Sequence, residues 1–278
     1  MHTAHEHDQA GNRRHVSVAP YMLPNDRQEI DRFDLQHYLL RYVLKGNYLA
    51  PIAKPAHILD VGCGSGRWIS EMALEFNQAD LVGVDLTPLD QEATAFPPNC
   101  HFQTGNVLEG LPFEDNSFDF VHQRFLIFAI PHPGWPHLVK ELARVTRRGG
   151  WVELIEVNLP YQHMGPDTEH VIDLIMQAAR QRGLDPAISE RLGSLLSAAG
   201  LKRVGTSTQL IPVGPWSGQI GAMAAEDIRA SVQAMKPFVM LQMQTDPGEF
   251  DRLAMRVEQE VEQYHTTFTF HIAYGQRQ

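Results

Sequence analysis

His57-Ile-Leu-Asp60-Val-Gly62-Cys-Gly64-Ser-Gly66-Arg-Trp68 is the stretch that decides the fold. A short apolar run of strand character enters a turn with three glycines spaced two apart. A helical pattern from Arg67 to Phe76 follows. Glycine lets the backbone approach a ligand closely, and the helix start offers free N–H groups. The turn therefore reads as a nucleotide cradle. A dinucleotide fingerprint needs a further glycine at the sixth position from Gly62, where Arg67 stands. No Gly-Lys-Ser/Thr follows, so a P-loop is excluded as well.

Working outward, Asp80–Val84 reads as a second strand that ends in Asp85. A carboxylate there can accept both hydroxyls of a ribose. Cys100–Thr104 is a third strand, Phe118–Gln123 a fourth and Trp151–Glu156 a fifth. A helix over Pro136–Arg147 precedes the fifth and stops at Gly149-Gly150. Strands alternating with helices imply βαβ units and a parallel sheet. Upstream, Asp26-x-x-Glu29 resembles a capping box and opens an amphipathic helix that runs to Leu44. Downstream, Asp167 and Asp185-Pro186 read as helix starts, and Gly200 closes the second of these helices. Leu201–Ile211 is then a strand, Glu226–Met243 and Pro247–Tyr264 are helices, and Thr267–Tyr274 is the last strand.

These segments, in this order, resemble the class I S-adenosylmethionine (SAM)-dependent methyltransferases over residues 57–156. Asp60 stands two before the glycine turn, and Leu81-Val-Gly-Val-Asp85 supplies the second acid. Ser117-Phe-Asp-Phe-Val121 matches the family's fourth strand, and Arg147-Arg-Gly-Gly-Trp151 the turn before its fifth. The resemblance implies a Rossmann-like α/β fold with a mostly parallel seven-stranded sheet and an antiparallel last strand. An N-terminal helix and a helical cap insertion complete it. It implies S-adenosyl-L-methionine as cofactor, held by Asp60, Gly62, Gly64, Gly66, Asp85, Leu86, Asn106, Val107 and Gln123, with Tyr21 covering it. Asp60 would meet the methionine amino group and Gln123 the methionine moiety. Asn106 stands where the family has an acid at the adenine edge, and its side-chain carbonyl can still accept from the adenine amino group. Asp119 is expected to brace the glycine turn, and Cys63 to be merely small.

Composition narrows the partners. Lys+Arg 23 against Asp+Glu 33 gives a net charge of −10, which opposes nucleic acid and anionic membranes. Cys63 and Cys100 are the only cysteines, too few for a disulfide scaffold or a thiolate zinc site. No metal is expected. The polar N-terminus shows no signal-peptide core, so a cytoplasmic location is expected. The expected organisation is a disordered tail at 1–20, an N-terminal lid or exchange helix at 21–50 and a cofactor core at 51–212. A helical cap at 213–265 and a last core strand at 266–278 follow. The apolar stripe of the first helix must pack on its own domain or on a second copy, and a homo-oligomer is expected through it.

The acceptor is read partly by exclusion. Asp119-Phe-Val-His-Gln-Arg124 lacks the Asp/Asn-Pro-Pro run of amino-methylating nucleic-acid enzymes. No cysteine follows a proline, and neither a glutamate pair nor an acidic metal cluster lies near strand four. Tyr21-Met-Leu-Pro-Asn-Asp26 and Asp34-Leu-Gln-His-Tyr-Leu39 resemble the N-terminal region of fungal secondary-metabolism methyltransferases and their bacterial relatives. Among the latter are enzymes of teleocidin-type biosynthesis, which methylate an alkene carbon of a prenylated indole and trigger ring closure. A hydrophobic small-molecule acceptor is implied. Phe125, Phe128, Trp135, Tyr161 and Trp216 are the aromatic residues available to steady a cation. Tyr21 and His163 are the candidate catalytic residues, with His122 a further proton acceptor. O- or N-methylation of another natural product remains open, as does a SAM-binding regulatory protein.

Overall fold

A computed structural model describes residues 27–89, 95–243 and 246–278. Seven strands form one sheet: β1 (His57–Val61), β2 (Asp80–Asp85), β3 (Cys100–Thr104), β4 (Phe118–Arg124), β5 (Thr146–Gln162), β6 (Lys202–Pro212) and β7 (Thr267–Gln276). Their spatial order is β3-β2-β1-β4-β5-β7-β6. β1 through β5 run parallel, and β7 is antiparallel to both β5 and β6. This is the expected α/β Rossmann-like architecture. The central strands are apolar because helices cover both faces, as parallel sheets require. Ile58, Leu59, Val61, Phe120 and Val121 are all fully buried.

The helices are α1 (Arg27–Leu44), α2 (Arg67–Glu75), α3 (Trp135–Val145), α4 (Pro166–Gln181), α5 (Leu192–Ala198), α6 (Gln219–Met243) and α7 (Pro247–Gln263). In α3, Trp135, Leu138, Val139, Leu142 and Val145 recur at helical spacing and are fully buried. α1 packs on its own chain, chiefly against α6, and its Leu39 and Leu40 join the main apolar core. The expected cap residue Asp26 and Tyr21 lie outside the described residues, and so does the expected disordered tail.

Several elements differ from the sequence expectation. β5 extends well past Trp151–Glu156 at both ends: antiparallel pairing with β7 continues to Gln162↔Thr267, and at the start Thr146 pairs with Phe118 of β4 while Gly149 and Gly150 exchange backbone bonds with Arg277. Gly149 and Gly150 therefore lie inside a strand rather than stopping α3. Asp185-Pro186 does not open a long helix. Asp185 caps Ala187 and pairs with His132, and a 3-10 turn at Ile188–Arg191 leads into the short α5. α6 begins at Gln219, seven residues before the expected Glu226. The glycine that hid this start, Gly221, is needed because a Cβ there would collide with the Gly214 carbonyl. α6 and α7 form more than a lid: Val239, Phe250 and Ala224 join the main apolar core together with α4.

Candidate active site

Sheet order reverses between β1 and β4, which opens a crevice at their carboxyl ends. Gly62, Gly64 and Gly66 line the turn there with φ of 74°, 52° and 73°. A Cβ on Gly62 would sit 2.7 Å from Leu126, so space as well as conformation demands glycine. The Gly64 N–H donates to Asp85 Oδ2 at 2.9 Å, and the Thr87 N–H to Asp85 Oδ1 at 2.9 Å. The Asp85 carboxylate is thereby fixed at the tip of β2, and burial pushes its pKa up. Lone pairs remain on both oxygens for two further donors. A backbone-lined turn beside a fixed carboxylate fits the ribose and methionine portions of S-adenosylmethionine. Leu86, Asn106 and Val107 are half-buried at the next strand ends. The Asn106 side chain accepts from the Leu108 N–H at 3.1 Å and donates to Glu109 at 2.9 Å.

α1 closes one side of this crevice. Phe33 stands 3.4 Å from where a Cβ of Gly64 would be. Asp34 accepts from Ser65 Oγ at 2.7 Å and from Arg67 at 2.6 and 3.1 Å. Beneath it, Asp60 accepts from His122 Nδ1 at 2.9 Å, and the His122 ring stacks on Trp68 with centroids 3.8 Å apart. Burial holds His122 below the usual imidazole range, so it is neutral and donates through Nδ1. On β5, Glu156 is fully buried and takes three donors. They are Gln123 Nε2 at 2.7 Å, the Leu126 N–H at 2.8 Å and the Ile127 N–H at 3.1 Å. Burial raises its pKa to about 8 despite these bonds.

A second cavity of about 60 Å³ lies against the ends of β4, β5 and β7, roofed by α1, α4 and α6. Phe125, Phe128, Tyr161, Phe268 and Phe270 supply its aromatic wall. Phe268 and Phe270 meet edge-on at 5.0 Å, and Phe125 lies 5.3 Å from Phe270. One corner is polar: Arg32 donates to Asp227 at 3.3 Å, and Gln36 to Asp227 at 3.5 Å. Burial raises the Asp227 pKa, and it raises that of the Tyr161 hydroxyl too.

The structure brings Asp60, the three glycines, Asp85 and Gln123 to one crevice. Gln123 is fully buried, and its Oε1 has no partner among the described residues. Phe125, Phe128 and Tyr161 line the second cavity, whereas Trp135 is sealed in the core and Trp216 packs on His265. His163 follows β5 and is exposed, outside the cavity wall. Tyr21 lies outside the described residues. Asp119 braces the start of β1 rather than the glycine turn, accepting from the Ala56 and His57 N–H groups and pairing with Arg147. Sequence reasoning missed Glu156, Glu153 and Asp227. Two glutamates inside the apolar run Trp151–Glu156 were the available signal, since a carboxylate in a buried strand needs a task. No group of three or more metal-ligating side chains occurs among the described residues, and no helix there is long and apolar enough to cross a membrane.

Residues 58–150 match the methyltransferase domain family. The methyltransferase str3 of Strobilurus tenacellus is 32% identical over 207 residues, covering 72% of this chain and 73% of that one. The N-methyltransferase sirN of Leptosphaeria maculans is 28% identical over 280 residues, covering 92% of this chain and 94% of the other. Among solved structures, the Haemonchus contortus phosphoethanolamine N-methyltransferase 2 in complex with S-adenosyl-L-methionine superposes with a TM-score of 0.52 at 16% identity. That match covers 91% of this chain and 59% of the other, and it speaks to the fold.

Proposed function

The chain belongs to the class I SAM-dependent methyltransferases related to fungal secondary-metabolism enzymes, and we propose that its acceptor is a hydrophobic natural product methylated at an alkene carbon. A prenylated indole that cyclises after methylation is the specific form of this reading. The observation that carries it is the aromatic cavity beside the glycine crevice. Bound S-adenosylmethionine supplies a methyl group made electrophilic by its sulfonium. Asp85 would accept the ribose hydroxyls and Asp60 the methionine ammonium, fixing the orientation of the methyl group. Gln123 and the Leu126–Ile127 backbone, held by Glu156, would form the floor between the two ligands.

An alkene needs no base to attack a methyl group. Its π electrons would form the new C–C bond as the S–CH3 bond breaks, with neutral S-adenosylhomocysteine as the leaving group and a cation left on the neighbouring carbon. The faces of Phe125, Phe128, Phe268, Phe270 and Tyr161 suit that charge. Ring closure onto the indole consumes the cation, and a proton must then leave. Asp227 is the carboxylate in the cavity wall able to receive it, a task for which His122 is sealed under Trp68 and His163 lies outside the wall.

Incubation with isotopically labelled S-adenosylmethionine and a panel of prenylated indoles, phenols and amines tests this reading. The expected product carries the label on carbon, located by NMR. Label found only on oxygen or nitrogen would replace C-methylation by the other transfer, and absence of turnover across the panel would favour a regulatory role.

A further inference from the structure

Arg124 closes β4 on the same face as His122. Burial pushes its guanidinium below the usual range, so the protein holds a costly cation there. Among the described residues its single hydrogen bond is to His37 on α1, Nη1 to Nδ1 at 3.2 Å. His37 cannot share the charge: burial first, then Arg124, lowers its pKa to about 2, so it is neutral and accepts. Every nearby carboxylate is already engaged. Asp60 binds His122 at 2.9 Å. Glu71 binds Arg41 at 2.9 Å and faces His37 at 3.3 Å. Asp34 binds Arg67 and Ser65. A partly buried guanidinium held by one neutral imidazole, with no ion pair among the described residues, suits an incoming anion.

The position says which anion. Asp60 pairs with His122 across β1 and β4, and Arg124 lies two residues further along the same strand, roughly 7 Å on. A carboxylate and a guanidinium so spaced, at the mouth of the glycine turn, match the ammonium and carboxylate of an α-amino acid. We infer that Arg124 is the anchor for the methionine carboxylate of the cofactor, oriented from α1 by His37. This rests on the S-adenosylmethionine reading. It makes Arg124 the residue that distinguishes the intact cofactor from adenosyl compounds lacking the carboxylate.

Calorimetry on the full chain tests this with S-adenosylmethionine, decarboxylated S-adenosylmethionine and 5′-methylthioadenosine, which lacks the whole amino-acid end. In Arg124→Met, S-adenosylmethionine is expected to bind about ten- to a hundredfold more weakly, as for a lost charge-assisted bidentate contact. Methylthioadenosine should stay within about twofold, and Arg124→Lys should recover part of the loss. Equal losses for both ligands would mark Arg124 as structural and overturn the inference. Unchanged S-adenosylmethionine affinity with lost turnover would assign the guanidinium to an anionic group on the acceptor and overturn it as well. Should Arg124→Met not fold, the wild-type chain still decides, because equal affinity for the cofactor and its decarboxylated form refutes a carboxylate anchor. A wild-type chain that binds none of the three would instead defeat the cofactor reading itself.

Discussion

The two candidate ligand spaces of this molecule are built from different materials. The glycine-turn end of the cofactor crevice is mostly backbone: three positive-φ glycines, the N–H groups of Gly64 and Thr87, and the Asp85 carboxylate that both of those groups hold. Its parts lie within about thirty residues of chain, and their spacing follows from strand length and turn geometry. The aromatic cavity proposed for the acceptor is lined by residues drawn from α1, the β4 and β5 ends, α4, α6 and β7. Its walls share no local motif. A backbone site tolerates little change in the ligand and constrains the sequence tightly. A side-chain site can be rebuilt residue by residue while the sheet below stays fixed.

The largest effect should come from breaking the backbone site. Asp85→Ala removes the acceptor proposed for both ribose hydroxyls, and each hydrogen bond to a charged group contributes about 1.5–3 kcal/mol. Cofactor affinity should fall a hundredfold or more in calorimetry, with far-UV circular dichroism unchanged. If affinity holds, Asp85 merely closes the glycine turn. The complementary change is Val232→Phe on α6, whose side chain borders the acceptor cavity. Filling a cavity this small should lower kcat/KM for any accepted substrate about ten- to a hundredfold and leave cofactor affinity within about twofold. Overpacking will cost about 1–3 kcal/mol of stability. A parallel loss of cofactor affinity would show that the two spaces are one.

The same contrast explains what the sequence disclosed. The glycine turn, Asp85 and the strand alternation were legible because a local backbone requirement fixes residue type at fixed spacing. The sheet followed from them, since helices on both faces demand apolar strands. Asp227 was not legible: it became a cavity residue only when α6 crossed α1, which brings it to Arg32 from 195 positions away. The early start of α6 was hidden by Gly221, a residue chosen for a close approach to Gly214 rather than for propensity. Glu156 stood in plain view, but two of its three N–H donors, those of Leu126 and Ile127, come from the loop after β4, whose path depends on the loop's own tertiary contacts.

Glu156 sits on the border between the two spaces and sharpens the comparison through pH. Its folded pKa is raised to about 8 by burial, against the ordinary 4.5. Between those values the folded chain keeps a proton that the unfolded chain has released, so stability falls as pH rises through that window. It is fully present below the window and levels off above it. The slope contributed by one such group approaches about 1.4 kcal/mol per pH unit. Glu153, raised to about 7 by burial, adds a decline of the same sign over a narrower window. Glu156→Gln should therefore flatten, without abolishing, the decline of the melting temperature between pH 5 and 8. A slope equal to wild type would mean that the carboxylate is ionised throughout, its three donors having won over burial.

The smallest effect concerns α1, which touches both spaces. Asp34 fastens it to the glycine turn through Ser65 and Arg67, while Arg32 and Gln36, on the same helix, border the acceptor cavity. The Arg67 side chain is 40% exposed, so water and salt screen the pair, and its loss should cost no more than about 1 kcal/mol. Asp34→Ala should weaken cofactor binding about two- to fivefold at low ionic strength, less at high salt, where the wild-type pair is itself screened. The informative quantity is the acceptor KM measured at saturating cofactor. If it stays at the wild-type value, α1 pivots at the turn while its Arg32 end remains held by Asp227, and the two spaces respond separately. If it rises in proportion to the cofactor loss, α1 moves as a rigid bar. The glycine turn then sets the shape of the acceptor cavity through a single helix, and the division between backbone site and side-chain site ends at Asp34.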